Sequence, residues 1–263
     1  MTFIRKYITN PISRPFMRFS GAKITPQWVC IHWTANEAET AGAEAHYRYF
    51  QNGAPSAKGP LNTSVHYVVD SNTIIQLIPD TEPAHHVGDK PRRESAIRSE
   101  VLRNARPEEF ITKSAVKNPN YCGVIGIEMC VNGGIKHPRF KNTESNTVLL
   151  AAYLLMLYDL KTDRLIRHFD ISGKDCPKFY LEDTVFAGFK RRVASMQTFL
   201  TDMSYIKGVV TAHELNVRSG PGVQNPVIFK LQKGDAILFR DNGAVWQEYL
   251  PGAFLNTKFI QEV

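Results

Sequence analysis

The sequence predicts an α/β layer domain followed by a small all-β unit, and three observations carry that prediction. Up to about residue 200, short apolar runs alternate with longer stretches of helical periodicity, the pattern of a layered α/β domain. From Gly208 onward helical periodicity disappears and short strand candidates follow one another closely. Between them lie Gly220, Pro221 and Gly222, then Lys233 to Asp235 and Asp241 to Gly243, residues with turn chemistry.

In the first unit the strand candidates are 29–31, 65–69, 73–78, 124–129 and 165–167, each rich in Val, Ile or Leu. Residues 37–51 read as a helix that Gly53 closes. Residues 144–159 place Val148, Leu149, Ala152, Leu155 and Met156 at helical spacing, and residues 181–201 do the same with Phe186, Phe189, Val193, Met196 and Leu200. Such stripes are core. In the second unit the candidates are 209–211, 215–217, 227–229, 236–239, 245–249 and 259–260, enough for a small barrel. The expected domains are therefore 1–201 and 208–263, joined at 202–207. Residues 90–121 fit neither pattern. They carry Arg92, Arg93, Arg98, Arg103, Arg106, Lys113 and Lys117 in a helix-compatible composition, and read as a solvated helical excursion or a substrate-facing basic rim.

A chain of 263 residues can bury one core of ordinary size and a small second one. Its 43% hydrophobic and 22% charged content exclude a disordered protein. No apolar run approaches the roughly 18 residues of a membrane span, so no membrane insertion is expected. The first eleven residues lack the continuous apolar segment of a secretory signal, so synthesis in the cytoplasm is expected. Cys30, Cys122 and Cys130 sit in or beside apolar runs, as buried thiols do, and argue against a disulfide framework. The formal charge of +7 suits an anionic partner. With no DNA- or RNA-binding motif present, an anionic wall polymer fits better than nucleic acid.

The chemistry concentrates in HFDISGKDCP at 168–177. A neutral imidazole at His168 and a thiolate at Cys176 suit a borderline-soft tetrahedral cation such as zinc, and Ser172 with Gly173 can turn the chain so both face one point. His32 is a third candidate, placed where an apolar strand opens into a polar loop. Three protein ligands and one open position describe a catalytic zinc, one per chain. Glu128 lies in the apolar strand IGIEM, where a charge costs free energy unless it is paired or metal-adjacent; it reads as a general base toward water. Lys174, two residues before Cys176, can support an oxyanion. His66 and His86 are weaker candidates for substrate contact, with packed or supporting roles equally open for His66. His46, His137 and His213 look incidental.

The segments VCIHWTAN (29–36), SVHYVVD (64–70), AHHVGD (84–89), IGIEMCVN (125–132) and HFDISGKDCP (168–177) resemble, in order and spacing, those of the zinc N-acetylmuramoyl-L-alanine amidases of the amidase-2 family. That resemblance covers roughly residues 1–180. It implies a central mixed sheet flanked by helices and a zinc in an open groove, with His32, His168 and Cys176 as ligands, Glu128 as the catalytic carboxylate and Lys174 as oxyanion partner. There are departures. Val65 stands where some relatives have a catalytic tyrosine, which moves the burden onto Glu128. His85 replaces the tryptophan of the family's W-H-A-G motif and leaves His86 as the matching histidine, and the 90–121 excursion is longer than the family leads one to expect. The tail, with LNVRSGPG (215–222), KGD (233–235) and Trp246, resembles a bacterial SH3-type module. Together they look like a phage or prophage endolysin that reaches the wall through a holin, or a bacterial autolysin.

The expected reaction is hydrolysis of the amide between N-acetylmuramic acid and L-alanine in peptidoglycan. Two rivals are a peptidoglycan-recognition protein without catalysis and a cysteine peptidase with Cys176 as nucleophile. Pro177 disfavours the second, because it interrupts a helix continuing past the nucleophile.

Overall fold

The structure is a computed structural model that describes residues 2–10, 14, 23–53, 62–103, 118–250 and 252–263. The first unit contains β1 (Thr2–Arg5), β2 (Trp28–Trp33), α1 (Ala43–Gln51), β3 (Tyr67–Val69), β4 (Thr73–Gln76) and α2 (Ala96–Arg103). It continues with β5 (Val124–Met129), α3 (Pro138–Leu157), β6 (Leu165–Arg167), α4 (His168–Ser172) and α5 (Asp183–Asp202). Its strands form one mixed sheet in the order β1-β4-β3-β5-β2-β6. The β3–β4 pair is antiparallel and the other pairings are parallel.

Both faces of the central strands are covered, which is why β2 and β5 read as near-continuous apolar runs. One face carries Val29, Ile31, Tyr67, Val69, Ile125, Ile127 and Met129, which share a buried cluster with the apolar stripes of α3 and α5. The alternate residues point the other way, and the site lies on that side.

Several boundaries differ from the sequence reading. The helix expected over 37–51 starts at Ala43, whose N–H donates to Asp70 Oδ2 at 2.8 Å. The cap therefore comes from a residue 27 positions away. Gly53 follows the helix with φ of 81°, as its stop role requires. Strand β1 carried no distinct sequence signal; it is held by parallel pairing to β4 at the sheet edge. Of the 90–121 excursion, α2 is helical as expected, whereas 104–117, with Arg106, Lys113 and Lys117, lie outside the described residues.

The second unit contains β7 (Tyr205–Val210), β8 (Glu214–Arg218), β9 (Val227–Gln232), β10 (Ala236–Arg240), β11 (Trp246–Leu250), β12 (Ala253–Asn256) and β13 (Ile260–Glu262). They form two antiparallel sheets, β10-β7-β13 and β11-β12-β8-β9. α5 ends at Asp202 and β7 begins at Tyr205, so no slack chain lies between the units. They share a core. Phe3 of β1 packs against Phe229 and Tyr249 at ring-centroid distances of 5.6 and 6.4 Å. The Leu238 N–H donates to Tyr153 Oη at 2.9 Å, and Arg5 pairs with Asp235 at 2.8 Å. No helix among the described residues is long and apolar enough to cross a membrane.

Candidate metal centre

Parallel pairing of β2 with β5 sets His32 directly beside Glu128. Partners in register point to the same face, and both lie on the face opposite the α3–α5 core. Next to β2, β6 runs straight into α4, so His168 opens that helix at the same sheet end. Gly173 then ends α4 in the left-handed region with φ of 74°. The Phe169 N–H donates to the Cys176 carbonyl at 2.9 Å, closing the chain back on itself. This return is the turn that Ser172 and Gly173 predict, and it brings Cys176 to His32.

The ligand atoms of His32, His168 and Cys176 all lie within 4.8 Å of one another, and all three residues are buried. His32 Nδ1 stands 3.6 Å from Cys176 Sγ. A nitrogen and a sulfur on one tetrahedral zinc, at bond lengths of about 2.05 and 2.3 Å, are separated by about 3.5–3.6 Å. His168 Nε2 lies 2.6 Å from Asp89 Oδ1, whereas its Nδ1 is buried with no hydrogen-bond partner among the described residues. An orphaned imidazole nitrogen in a buried site is costly unless something outside the chain satisfies it. The donor set fits one zinc ion.

The electrostatics agree. Burial lowers the pKa of His32 well below the ordinary 6.5, with His168 and His86 adding to the effect. Burial lowers His168 as well, against the opposing Asp89. Both shifts favour the neutral imidazole that ligation requires. Burial pushes the Cys176 thiol up to about 12 and Glu128 adds to the rise, so without a cation this sulfur is a poor nucleophile. That disfavours the cysteine-peptidase reading. Burial raises Glu128 from 4.5 to about 7, against the pull of Lys174. At Asp89 burial acts upward, but the hydrogen bond from His168 outweighs it and leaves the carboxyl at about 2.

A groove of about 570 Å³ runs over these residues, lined by His32, Glu128, His168, Lys174 and Cys176, with Trp33, Tyr49 and Phe50 also in its lining. A second depression of about 510 Å³ shares Thr63, His86, His168 and Lys174 with it and adds His85, Asn118 and Tyr121. Lys174 is exposed at the junction.

Two expectations for this site change. His66 is fully buried, with Gly126 N–H donating to its Nδ1 at 3.0 Å and its Nε2 2.9 Å from the Glu82 carbonyl. Both nitrogens are used inside the protein, so it makes no substrate contact and instead ties β5 to the 79–82 turn. His86 does reach the groove, but its ring nitrogens face the Val124 carbonyl at 3.0 Å and His32 Nε2 at 2.9 Å, which leaves it no donor or acceptor for a substrate. Val65 is buried in the apolar cluster beneath the groove and offers no polar group. Asp89 was not singled out from the sequence; its only signal was its place at the end of the AHHVGD segment. His46, expected to be incidental, lines the groove wall with Nδ1 turned to the Gly42 carbonyl.

Comparison with known proteins bears on the same residues. Residues 22–179 match the Amidase_2 family model, described as N-acetylmuramoyl-L-alanine amidase. CwlL of Bacillus licheniformis, named an N-acetylmuramoyl-L-alanine amidase, is 32% identical over 190 residues, 71% of this chain and 45% of its own. BlyA of Bacillus subtilis (strain 168), with the same descriptive name, is 32% identical over 197 residues, 73% of this chain and 46% of its own. The chain thus spans less than half the length of these curated relatives. The solved catalytic domain of XlyA, a Bacillus subtilis protein, superposes with a TM-score of 0.54 at 26% identity, covering 73% of this chain and 99% of that one.

Proposed function

Because the chain belongs to the N-acetylmuramoyl-L-alanine amidase family matched by residues 22–179, we propose that it hydrolyses the amide joining the lactyl group of N-acetylmuramic acid to L-alanine in peptidoglycan. The observation that carries this reading is the buried His168 Nδ1, without a hydrogen-bond partner among the described residues, in one cluster with His32 and Cys176 lining an open groove. His32, His168 and Cys176 would hold one zinc ion. When bound, that ion supplies Lewis acidity, polarising the amide carbonyl and letting water yield its proton near pH 7.

The chain's own groups do the rest. Glu128, with a carboxyl at about 7, is matched to take the proton of the attacking water and return it to the leaving nitrogen. Water oxygen bonds to the carbonyl carbon, the carbon–nitrogen bond breaks, and the products are a lactyl carboxylate and a free L-alanine amine. Lys174, on the groove rim, offers its ammonium to the oxygen that gains charge. Trp33 and Tyr49, both in the groove lining, supply aromatic contact area for the substrate.

The second unit reads as a bacterial SH3-type module that holds wall peptide or glycan, and the net charge of +7 suits anionic wall polymers as a further partner. Action at the wall after synthesis in the cytoplasm, as an endolysin or autolysin, completes the reading. A recognition protein without catalysis is the weaker alternative, because all three ligand positions and Glu128 are filled. Digestion of purified cell walls tests the reaction: new free L-alanine amino groups without new reducing sugars are expected. New reducing ends without free amines mean a glycosidase and overturn the proposal.

A further inference from the structure

We infer that His86 is a positioning residue that holds His32 in its Nε2–H tautomer and so aims the Nδ1 lone pair at the cation site, with Gly126 as the gap that lets it stand there. The inference rests on the zinc reading proposed above only for the identity of the ion; the tautomer is a property of the chain alone.

The direction of the relay follows from its far end. The Val124 carbonyl can only accept, and His86 Nε2 lies 3.0 Å from it, so the His86 proton sits on Nε2. His86 Nδ1 is then an acceptor. It faces His32 Nε2 at 2.9 Å, so the His32 proton occupies Nε2 and its Nδ1 presents a lone pair, 3.6 Å from Cys176 Sγ. The rings meet nearly edge to face, 5.0 Å between centroids. His86 is not itself a ligand of the same ion: its Nε2 faces the Val124 carbonyl and its Nδ1 faces His32 Nε2, whereas the ion site lies at His32 Nδ1 beside Cys176 Sγ. The neighbouring cluster of Cys30, His32 and His86 is thereby read as a ligand with its support, and not as a second ion site.

Two features of the chain hold His86 there. The backbone N–H groups of His86 and Val87 both donate to Asn120 Oδ1, at 3.0 and 2.7 Å. Gly126 faces the ring: a Cβ at that position would lie 2.7 Å from His86 Nδ1 and 2.8 Å from both His86 Cε1 and Val65 Cγ2. Alanine would have to push the ring off the strand and away from His32. His168 has the equivalent support from Asp89. Both histidine ligands thus give their Nε2 proton to an internal acceptor, an arrangement that fixes ring orientation and raises ligand basicity.

Two measurements on the full chain test this. In the metal-free protein labelled with ¹⁵N-histidine, long-range ¹H–¹⁵N spectra of the wild type should give His32 as the Nε2–H tautomer. His86→Phe, which keeps the ring volume and removes both nitrogens, should turn it into a mixture with the Nδ1–H form. Competition with a chromogenic chelator should find zinc binding about 10–100-fold weaker in His86→Phe, partly restored in His86→Asn, whose Oδ1 can replace the Nδ1 acceptor. An Nδ1–H His32 in the wild type overturns the inference without any variant, even if His86→Phe fails to fold. An unchanged tautomer and unchanged affinity in a folded His86→Phe overturn it too. A wild type with the Nε2–H tautomer that binds no zinc would instead leave the inference standing and sink the zinc reading.

Discussion

Glu128→Gln should make the metal-free protein more stable while it abolishes most turnover. Burial raises this carboxyl from 4.5 to about 7, so the folded state holds its proton more tightly than the unfolded chain does. Between those values the folded protein binds more protons, and stability falls as pH rises. At about 1.4 kcal/mol per pH unit, ionising Glu128 costs the fold roughly 3 kcal/mol once pH is well above 7, and nothing below about 4.5. Glutamine has nearly the same shape and never ionises. In urea unfolding under chelation, the variant should therefore gain up to roughly 3 kcal/mol over wild type at pH 8.5, with the difference fading by pH 4.5. Wall hydrolysis by the zinc-loaded variant should fall by about 10²–10⁴ as the general base is lost. A variant that is less stable than wild type at pH 8.5, or one whose advantage does not change with pH, refutes the placement of a half-buried carboxylate whose ionisation the site disfavours. Retained turnover refutes its role as base.

Cys176→Ser should lose zinc and activity together, read by metal analysis after dialysis; full activity in a zinc-free protein would exclude the chemistry. Lys174→Met should keep zinc and its unfolding midpoint, because the side chain is exposed, yet lose about 10²–10³ in kcat, the cost of one oxyanion donor. Phe3→Ala should cost about 3–5 kcal/mol, since the ring is 3% exposed and packed between Tyr67, Phe229 and Tyr249. Because that core is shared, calorimetry should find one unfolding transition shifted as a whole, and two separating transitions would contradict the continuous core.

Much of the site was legible because chemistry leaves residues where packing has no use for them. Glu128 betrayed itself as a carboxylate in an apolar strand, and His168 and Cys176 by flanking a glycine turn. The period of two along β2 and β5 then explains why His32, Gly126 and Glu128 share one face. His66 misled for the same reason that made it visible: a polar residue beside a strand can serve the interior as well as a substrate, and only its two internal partners decide. His86 was noticed, but its tie to the interior was not, because one of its partners is a backbone carbonyl, which every residue possesses and no sequence advertises. Long-range contacts were equally silent. Nothing in the sequence joins Phe3 to Phe229, or Asp70 to the start of α1, so the docking of the second unit and the true start of that helix came only from the fold.

The convergence of His32, His168 and Cys176 on one zinc is tested most directly by X-ray absorption at the zinc edge on the purified full chain. One equivalent of zinc is expected, with two nitrogen neighbours at about 2.0–2.1 Å, one sulfur at about 2.3 Å and a light-atom fourth neighbour. A first shell without sulfur, or a protein that takes up no zinc when the metal is offered in excess, would contradict the assignment.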